Sequence, residues 1–449
     1  MHDPFLVIKN KKAEAVIAEI QSVMTDNATL GLPWIIGFSG GKDSTVLLML
    51  TWIALQRMQN DGIKINSNVY VVCNDTQVEN PIISTYVDEV LSFIQNAANA
   101  SKLPIQVKKT TPEVENTFWV NVIGKGYPVP NSNFRWCTDR LKIKPTSNFL
   151  IKQVNEQGSA IVLLGTRYSE SESRGRSMKK HETKGKLLSR HGTENNSYVY
   201  APIRELNLEE IWYIIRAVPT PWGFDNNVLF RIYSDASADD YECPTVVTTK
   251  AHSSCGQSRF GCWTCTVVQN DKSMKALVDN GYEWLDSLLQ FRNELQKGRN
   301  DSNNRLGHTR NGRNAISEDG RNIGTYSIIY RIELLKKLLA LQKKLEEKGH
   351  SICLIKQQEL IAIQINWYRD GYFEQSVYDL LNQNKSINFK TKTDKEINEI
   401  LTKICENSEE VSMIKNLVNL QESKAILVNK YGISKDIETL LEKHIANEN

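Results

Sequence analysis

Ser39-Gly40-Gly41-Lys42-Asp43-Ser44 places glycines, hydroxyls, one ammonium and one carboxylate in six consecutive positions. Glycines let backbone N–H groups approach a phosphate closely, and the first amides of a helix carry partial positive charge. Ser39 and Ser44 add hydroxyl donors and Lys42 adds a charge. A second kind of chemistry sits further on. Cys243, Cys255, Cys262 and Cys265 cluster, with eleven, six and two residues between them, while Cys73, Cys137, Cys353 and Cys405 are scattered. Cys262-Trp263-Thr264-Cys265 puts two thiols on one tight turn, an arrangement common to zinc and iron–sulfur sites. Only one close-spaced dyad is present, and the loose spacing of the other two suits a [4Fe–4S] cluster better than zinc.

Three shorter segments carry further candidates. Cys73-Asn74-Asp75-Thr76-Gln77-Val78-Glu79 follows an apolar run. Ligands bind beyond the carboxyl ends of parallel strands, so Asp75 and Thr76 are expected to meet a nucleotide there, unless they only cap the next helix. Arg135-Trp136-Cys137-Thr138-Asp139-Arg140-Leu141-Lys142 surrounds one thiol with cations, which favours the thiolate, the alternative being a small buried side chain. Leu164-Gly165-Thr166-Arg167, with Glu170, Glu172 and Arg174 beyond it, offers two guanidinium groups able to clamp phosphates or to serve in surface salt bridges.

These residues need a scaffold, and the hydrophobic periodicity supplies one. Residues 11–24 read as an amphipathic helix. Apolar runs at 34–38, 69–73, 105–108 and 161–164 read as strands, and helical stretches are expected from Thr45 to Met58, Ile82 to Ala97 and Leu208 to Ala217. Alternating strands and helices imply an α/β fold with a mostly parallel, Rossmann-like sheet flanked by helices. Residues 297–325 are rich in Gly, Asn and Arg and read as a long mobile loop or boundary. From Tyr326 onward the chain is charged and helical, with Ile328, Ile332, Leu335, Leu338 and Leu339 on one face. The organisation expected is therefore a phosphate-loop domain at 1–235, a cysteine segment at 236–296, a basic loop at 297–325 and a helical region at 326–449.

Composition is that of ordinary globular protein, 40% hydrophobic and 24% charged, with a net charge of +3. No apolar run is long enough to span a membrane, and Met1 to Asn10 lacks the features of a secretory signal. A cytoplasmic location is expected, where clustered cysteines point to a metal centre rather than disulfides. Two basic clusters can neutralise phosphates or lie in solvated loops: Arg174, Arg176, Lys179, Lys180, Lys184, Lys186 and Arg190, and Lys297, Arg299, Arg305, Arg310 and Arg313.

The hexapeptide is not a Walker A loop. Only three residues separate Gly37 from Gly41, and Asp43 stands where the magnesium-binding hydroxyl would be. Its order resembles the PP-loop of ATP pyrophosphatases, and the Arg-Trp-Cys and Gly-Thr-Arg segments narrow the resemblance to the phosphoadenosine-phosphosulfate reductase branch over residues 30 to 235. Two departures argue against a true sulfonucleotide reductase: no Glu-Cys-Gly motif occurs, and Cys137 is followed by Thr138 where iron–sulfur reductases use a Cys-Cys pair. Pro33-Trp34, Asn74-Asp75-Thr76, Arg135 to Arg140, Gly165-Thr166-Arg167 and the downstream cysteines resemble the sulfurtransferases of DNA phosphorothioation over residues 30 to 270.

That resemblance implies ATP and Mg2+ at Ser39, Gly40, Gly41, Lys42, Asp43, Ser44, Asp75, Thr76, Arg167 and Arg174. It implies catalytic roles for Asp43, Cys137 and Arg167, and a [4Fe–4S] cluster on Cys243, Cys255, Cys262 and Cys265. The expected partners are DNA, a cysteine desulfurase as sulfur donor, and other proteins of the phosphorothioation system. The expected reaction is adenylylation of a backbone phosphate with pyrophosphate release, then insertion of sulfur. A tRNA-thiolating enzyme and a non-catalytic iron–sulfur scaffold are the alternatives.

Overall fold

The computed structural model describes residues 10–181, 186–190, 196–236, 261–372, 374, 376–382, 401–402, 408–426 and 437. The described residues form two compact units, one of residues 1–112 and 130–292, the other of 113–129 and 293–449. Cys243, Cys255 and Lys184 lie outside the described residues.

The first unit is built on a six-stranded sheet. Its strands are β1 (Trp34–Gly37), β2 (Val69–Asn74), β3 (Ile105–Thr110), β4 (Ala160–Leu163), β5 (Leu188–Arg190) and β6 (Ser197–Tyr200). The order is β3-β2-β1-β4-β6-β5. All neighbours pair in parallel except the β5–β6 edge, which is antiparallel. The fold is thus α/β with a mostly parallel sheet, as the alternating pattern requires. β5 and β6 had no counterpart in the sequence reading, because Leu188–Arg190 and Ser197–Tyr200 are too short and too polar to show a period.

Register sorts the side chains between the faces. Ile35, Tyr70 and Val162 are paired neighbours, and they pack with Val72, Leu164 and Leu150 on one face. Leu150 belongs to α4 (Lys144–Gln157), which covers that side. Trp34, Ile36, Val71, Ile161 and Leu163 point the other way and are fully buried.

Capping sets the helix ends. In α1 (Lys11–Thr25) the Asn10 side chain accepts the amides of Lys12 and Ala13. In α3 (Pro81–Ser101) Asn80 accepts the Ile82 amide and Pro81 fills the first turn, where its missing N–H costs nothing. α6 (Leu208–Ala217) opens on a reciprocal Asn207–Glu210 capping box. α2 (Lys42–Asn60) differs: its cap is Gly41, which has no side chain to offer, and almost every residue from Lys42 to Leu55 is buried. A helix buried on all sides is a core element, and α2 begins just beyond the carboxyl end of the internal strand β1.

The strand order reverses between β1 and β4. Connections after these two strands leave in opposite directions and open a crevice at their carboxyl ends. α2 follows β1 at that crevice, and the Leu164–Arg167 segment follows β4.

In the second unit, residues 113–129 carry a π-helical turn, Val120–Gly124. After α8 (Lys272–Asp279) and α9 (Asp286–Arg299), the chain forms α10 (Ile328–Glu347) and α11 (Gln357–Arg369), and this turn packs with both of the latter. Trp119 Nε1 donates to the Leu354 carbonyl at 2.8 Å, and Trp367 Nε1 to the Ile123 carbonyl at 2.9 Å. Residues 305–326 hold a hydrogen-bonded ladder with bridges Arg305↔Tyr326, His308↔Asn314 and Ile316↔Asn322. Gly312 and Gly320 take φ values of +76° and +79° at its tight turns. The Gly/Asn richness that suggested a loop there supplies turn chemistry for this ladder. Among the described residues, no helix is long and apolar enough to cross a membrane.

Candidate active site

The hexapeptide begins two residues after β1 and runs into α2. Gly40 has φ +75°, and a Cβ there would run into Val87 Cγ2, so both conformation and space demand glycine. The loop is tied to itself. Ser44 Oγ donates to the Gly41 carbonyl at 3.0 Å and lies 3.2 Å from Ser39 Oγ. The Gly41 amide reaches Ser39 Oγ at 3.4 Å.

Three buried charges meet beneath it. Arg167 Nε donates to Asp43 Oδ1 at 2.6 Å, and Lys42 Nζ lies 3.3 Å from Asp43 Oδ2. Lys42 is 0% exposed, Arg167 2% and Asp43 6%, so the attraction is little screened by water. Arg167 also reaches Ser169 Oγ at 3.0 Å and the Leu206 carbonyl at 3.5 Å. Gly165 lets the segments approach, since a Cβ on it would lie 3.1 Å from the Asp43 carbonyl and the Ser44 nitrogen. The pair Asp43–Arg167 therefore locks the ends of β1 and β4 together. The first amides of α2 lie at this junction, and a helix N-terminus suits an anion.

Asp75 and Thr76 extend the site past β2. Asp75 pairs with Lys109 Nζ at 3.3 Å and accepts the Gln77 amide at 2.7 Å. Gln77 takes φ +65°, a left-handed conformation uncommon for a side-chain-bearing residue. Thr76 Oγ1 donates to Glu79 Oε1 at 2.8 Å and lies 3.3 Å from Cys262 Sγ.

The cysteine turn docks on this same segment. Glu79 and Cys262 form an antiparallel bridge, and the Trp263 amide donates to the Val78 carbonyl at 2.9 Å. Cys265 N–H donates to the Cys262 carbonyl at 2.9 Å, closing the turn. Arg292, 0% exposed, holds the chain beyond it through the carbonyls of Cys265 at 2.8 Å, Gln269 at 3.0 Å and Val268. Burial, then the Glu79 carboxylate, pushes the Cys262 thiol well above its usual range, and burial raises Glu79. A metal cation would reverse the penalty for a charged Cys262 sulfur. The described pair, preshaped on one turn, fits half of a four-thiolate site. Among the described residues no group of three or more candidate ligands converges, and Cys243 and Cys255 are not among them.

Cys137 is half-buried and directly precedes a π-helical turn, Thr138–Ile143. Asn74 Nδ2 donates to the Leu141 carbonyl at 3.0 Å, joining this segment to the end of β2. The Lys142 charge acts on both Glu79 and Cys262. The end of β2, the segment after Cys137 and the cysteine turn thus come together, and the phosphate loop joins the segment after β4. Arg174 lies on α5 (Glu172–His181), seven residues beyond Arg167. In the second unit, two cations of the 297–313 cluster are held by their own unit. Arg305 donates to the Gly324 and Arg299 carbonyls, and Arg310 to the Lys125 carbonyl and to Asp370.

Sequence reasoning passed over Glu79, Lys109, Ser169, Arg292 and Tyr233. Glu79 closes the segment Cys73–Glu79, and its offset of three from Thr76 on a turn was the available signal. Tyr233 and Arg292 carried none, since their partners are far away along the chain.

The family model for the phosphoadenosine phosphosulfate reductase domain matches residues 33–268. The uncharacterized protein MJ0066 of Methanocaldococcus jannaschii is 28% identical over 149 residues, which are 33% of this chain and 26% of that protein. The chain thus spans about a quarter of that relative's length. Among solved structures, the FMN adenylyltransferase of Candida glabrata, in complex with FAD and inorganic pyrophosphate, is similar at 13% identity and a TM-score of 0.27, over 54% of this chain and 64% of that one. Yeast FAD synthetase in complex with FAD gives 11% identity and a TM-score of 0.26, over 54% and 65%. Likenesses this slight carry no argument about function.

Proposed function

We propose that this chain, which belongs to the phosphoadenosine phosphosulfate reductase domain family, is an ATP-using sulfurtransferase that replaces a non-bridging oxygen of a DNA backbone phosphate by sulfur. One observation supports the reading above others. The loop at α2 follows β1, and the Cys262 turn docks on the segment that follows the adjacent strand β2, with Thr76 Oγ1 3.3 Å from the sulfur.

In this reading the amides of Gly41, Lys42 and Ser44 and the hydroxyls of Ser39 and Ser44 hold the β,γ-phosphates of magnesium-bound ATP. Asp43 keeps Lys42 and Arg167 fixed beneath them, so the charge that develops on pyrophosphate meets dipoles already in place. A phosphate oxygen of DNA attacks the α-phosphorus and pyrophosphate leaves. The terminal sulfur of a persulfide, supplied by a cysteine desulfurase, then attacks the activated DNA phosphorus. AMP departs with the displaced oxygen. A second thiol breaks the S–S bond, leaving sulfur on phosphorus and a disulfide behind. Cys137 is the candidate persulfide carrier, and the Leu141 carbonyl, four residues further on, accepts from Asn74 at the end of β2. Cys243, Cys255, Cys262 and Cys265 would hold a [4Fe–4S] cluster, which when bound supplies one-electron and sulfur-handling chemistry.

The test is a deletion strain complemented with this gene, scored for sulfur in DNA and in tRNA, beside pyrophosphate release by the purified protein. Phosphorothioate restored in DNA supports the proposal. Sulfur restored in tRNA alone assigns a tRNA thiolase. Restoration of DNA sulfur by a variant that releases no pyrophosphate assigns a scaffold.

A further inference from the structure

The α2 N-terminus has an unusual cap. Gly41 cannot accept the first-turn amides, and a distant residue takes over part of that role. Tyr233, on α7 (Asn226–Asp235), accepts the Lys42 amide on its hydroxyl at 3.3 Å. The same ring lies under the Lys42 ammonium, 5.6 Å from nitrogen to centroid. Tyr233 is 5% exposed and is braced edge-on by Trp212 of α6, centroids 5.2 Å apart. The hydroxyl is therefore held on the amide by packing on both sides.

The Lys42 amide is one of the donors that a helix N-terminus offers to a phosphate. One amide serves one strong acceptor at a time. A phosphate oxygen is charged, and charge-assisted hydrogen bonds are roughly twice as strong as neutral ones. We propose that Tyr233 is a displaceable cap of the phosphate loop. Its hydroxyl occupies the Lys42 amide until a pyrophosphate-bearing nucleotide takes it, and α7 thereby senses whether the loop is filled. The inference rests on the reading of residues 39–44 as the pyrophosphate grip. It assigns to Tyr233 a positioning role, exerted through Lys42.

The variant Tyr233→Phe keeps the ring beneath Lys42 and removes only the competing oxygen. Binding of ATP, inorganic pyrophosphate and AMP is measured by calorimetry for wild type and Tyr233→Phe, with thermal melting as the check on folding. The expected result is ATP and pyrophosphate bound about 2- to 10-fold more tightly by the variant, the fold-change that one ordinary hydrogen bond represents, with AMP unchanged. A merely structural tyrosine would change all three ligands alike. Hydrogen exchange in α7 should also rise when wild type binds ATP, and should not rise in the variant. Equal or weaker pyrophosphate binding by Tyr233→Phe overturns the proposal. If wild type binds neither ATP nor pyrophosphate, the reading of residues 39–44 fails and this inference falls with it. Should Tyr233→Phe melt early, Trp212→Leu, which loosens the brace and keeps the hydroxyl, is expected to show the same selective gain, and its absence overturns the proposal equally.

Discussion

Removing the carboxylate at position 43 would break two buried contacts at once, with Lys42 and with Arg167. Breaking a buried pair by deleting one partner costs about 3–5 kcal/mol, because the stranded charge stays desolvated. Asp43→Ala is therefore expected to lower the unfolding midpoint in urea and to abolish pyrophosphate release from ATP. Ser44→Ala removes only a hydroxyl that ties the loop, so it should abolish pyrophosphate release with a loss of stability near 1 kcal/mol. Full ATP turnover in both variants would sink the assignment. At the thiols, an anaerobic preparation is expected to be brown with close to four irons per chain, and Cys262→Ser should lose the iron. One zinc and no iron would show the metal reading to be wrong. Cys137→Ser separates two sulfur routes: it should keep iron and ATP hydrolysis yet leave DNA without phosphorothioate, measured by mass spectrometry of digested DNA. Normal phosphorothioate levels in that variant would give the sulfur role to the cluster instead.

Strands and helices decide whether those side chains meet. Gly40 must be left-handed and must clear Val87, so Gly40→Ala is expected to destabilise by about 2–4 kcal/mol and to weaken ATP binding, read by melting and calorimetry together. Gly165→Ala should act more selectively, since its added carbon would press on the backbone of Asp43 and Ser44 at 3.1 Å. A several-fold fall in pyrophosphate release with a smaller change in melting is the expected pattern. Much of this arrangement was legible beforehand. The apolar runs at Trp34, Val69, Ile105 and Ile161 predicted four parallel strands, and the Gly turn after the first of them predicted the phosphate loop. These signals are local, since burial on both faces yields continuous apolar runs and a tight turn demands glycine. The partnerships were not legible. Arg167 reads as a phosphate clamp from its position after a strand, yet in the fold it is buried against Asp43. Nothing within either segment encodes that pairing, which arises only when β4 is laid beside β1. Residues 305–326 were read from composition alone, and composition cannot say whether Gly and Asn serve a free loop or the turns of a ladder.

At the scale of the whole chain, the first unit carries both the phosphate loop and the described thiols, while the second is discontinuous in sequence, drawing on 113–129 and on residues beyond 292. Arg305 and Arg310 are bound within their own unit, so single Ala replacements there should cost stability more than DNA affinity. Melting and salt-dependent DNA binding of Arg310→Ala would check this, and a reduced salt slope with an unchanged midpoint would refute it. The discontinuity also sets a schedule for synthesis. Phe118, Trp119, Val120, Val122 and Ile123 are buried in the finished protein, and the Trp119 indole is satisfied by Leu354, 235 residues further along. A ribosome translating the chain must expose that apolar stretch until α10 and α11 have emerged. A product terminated after residue 292 is therefore expected to aggregate although its sheet is complete, as sedimentation of the truncated chain would show.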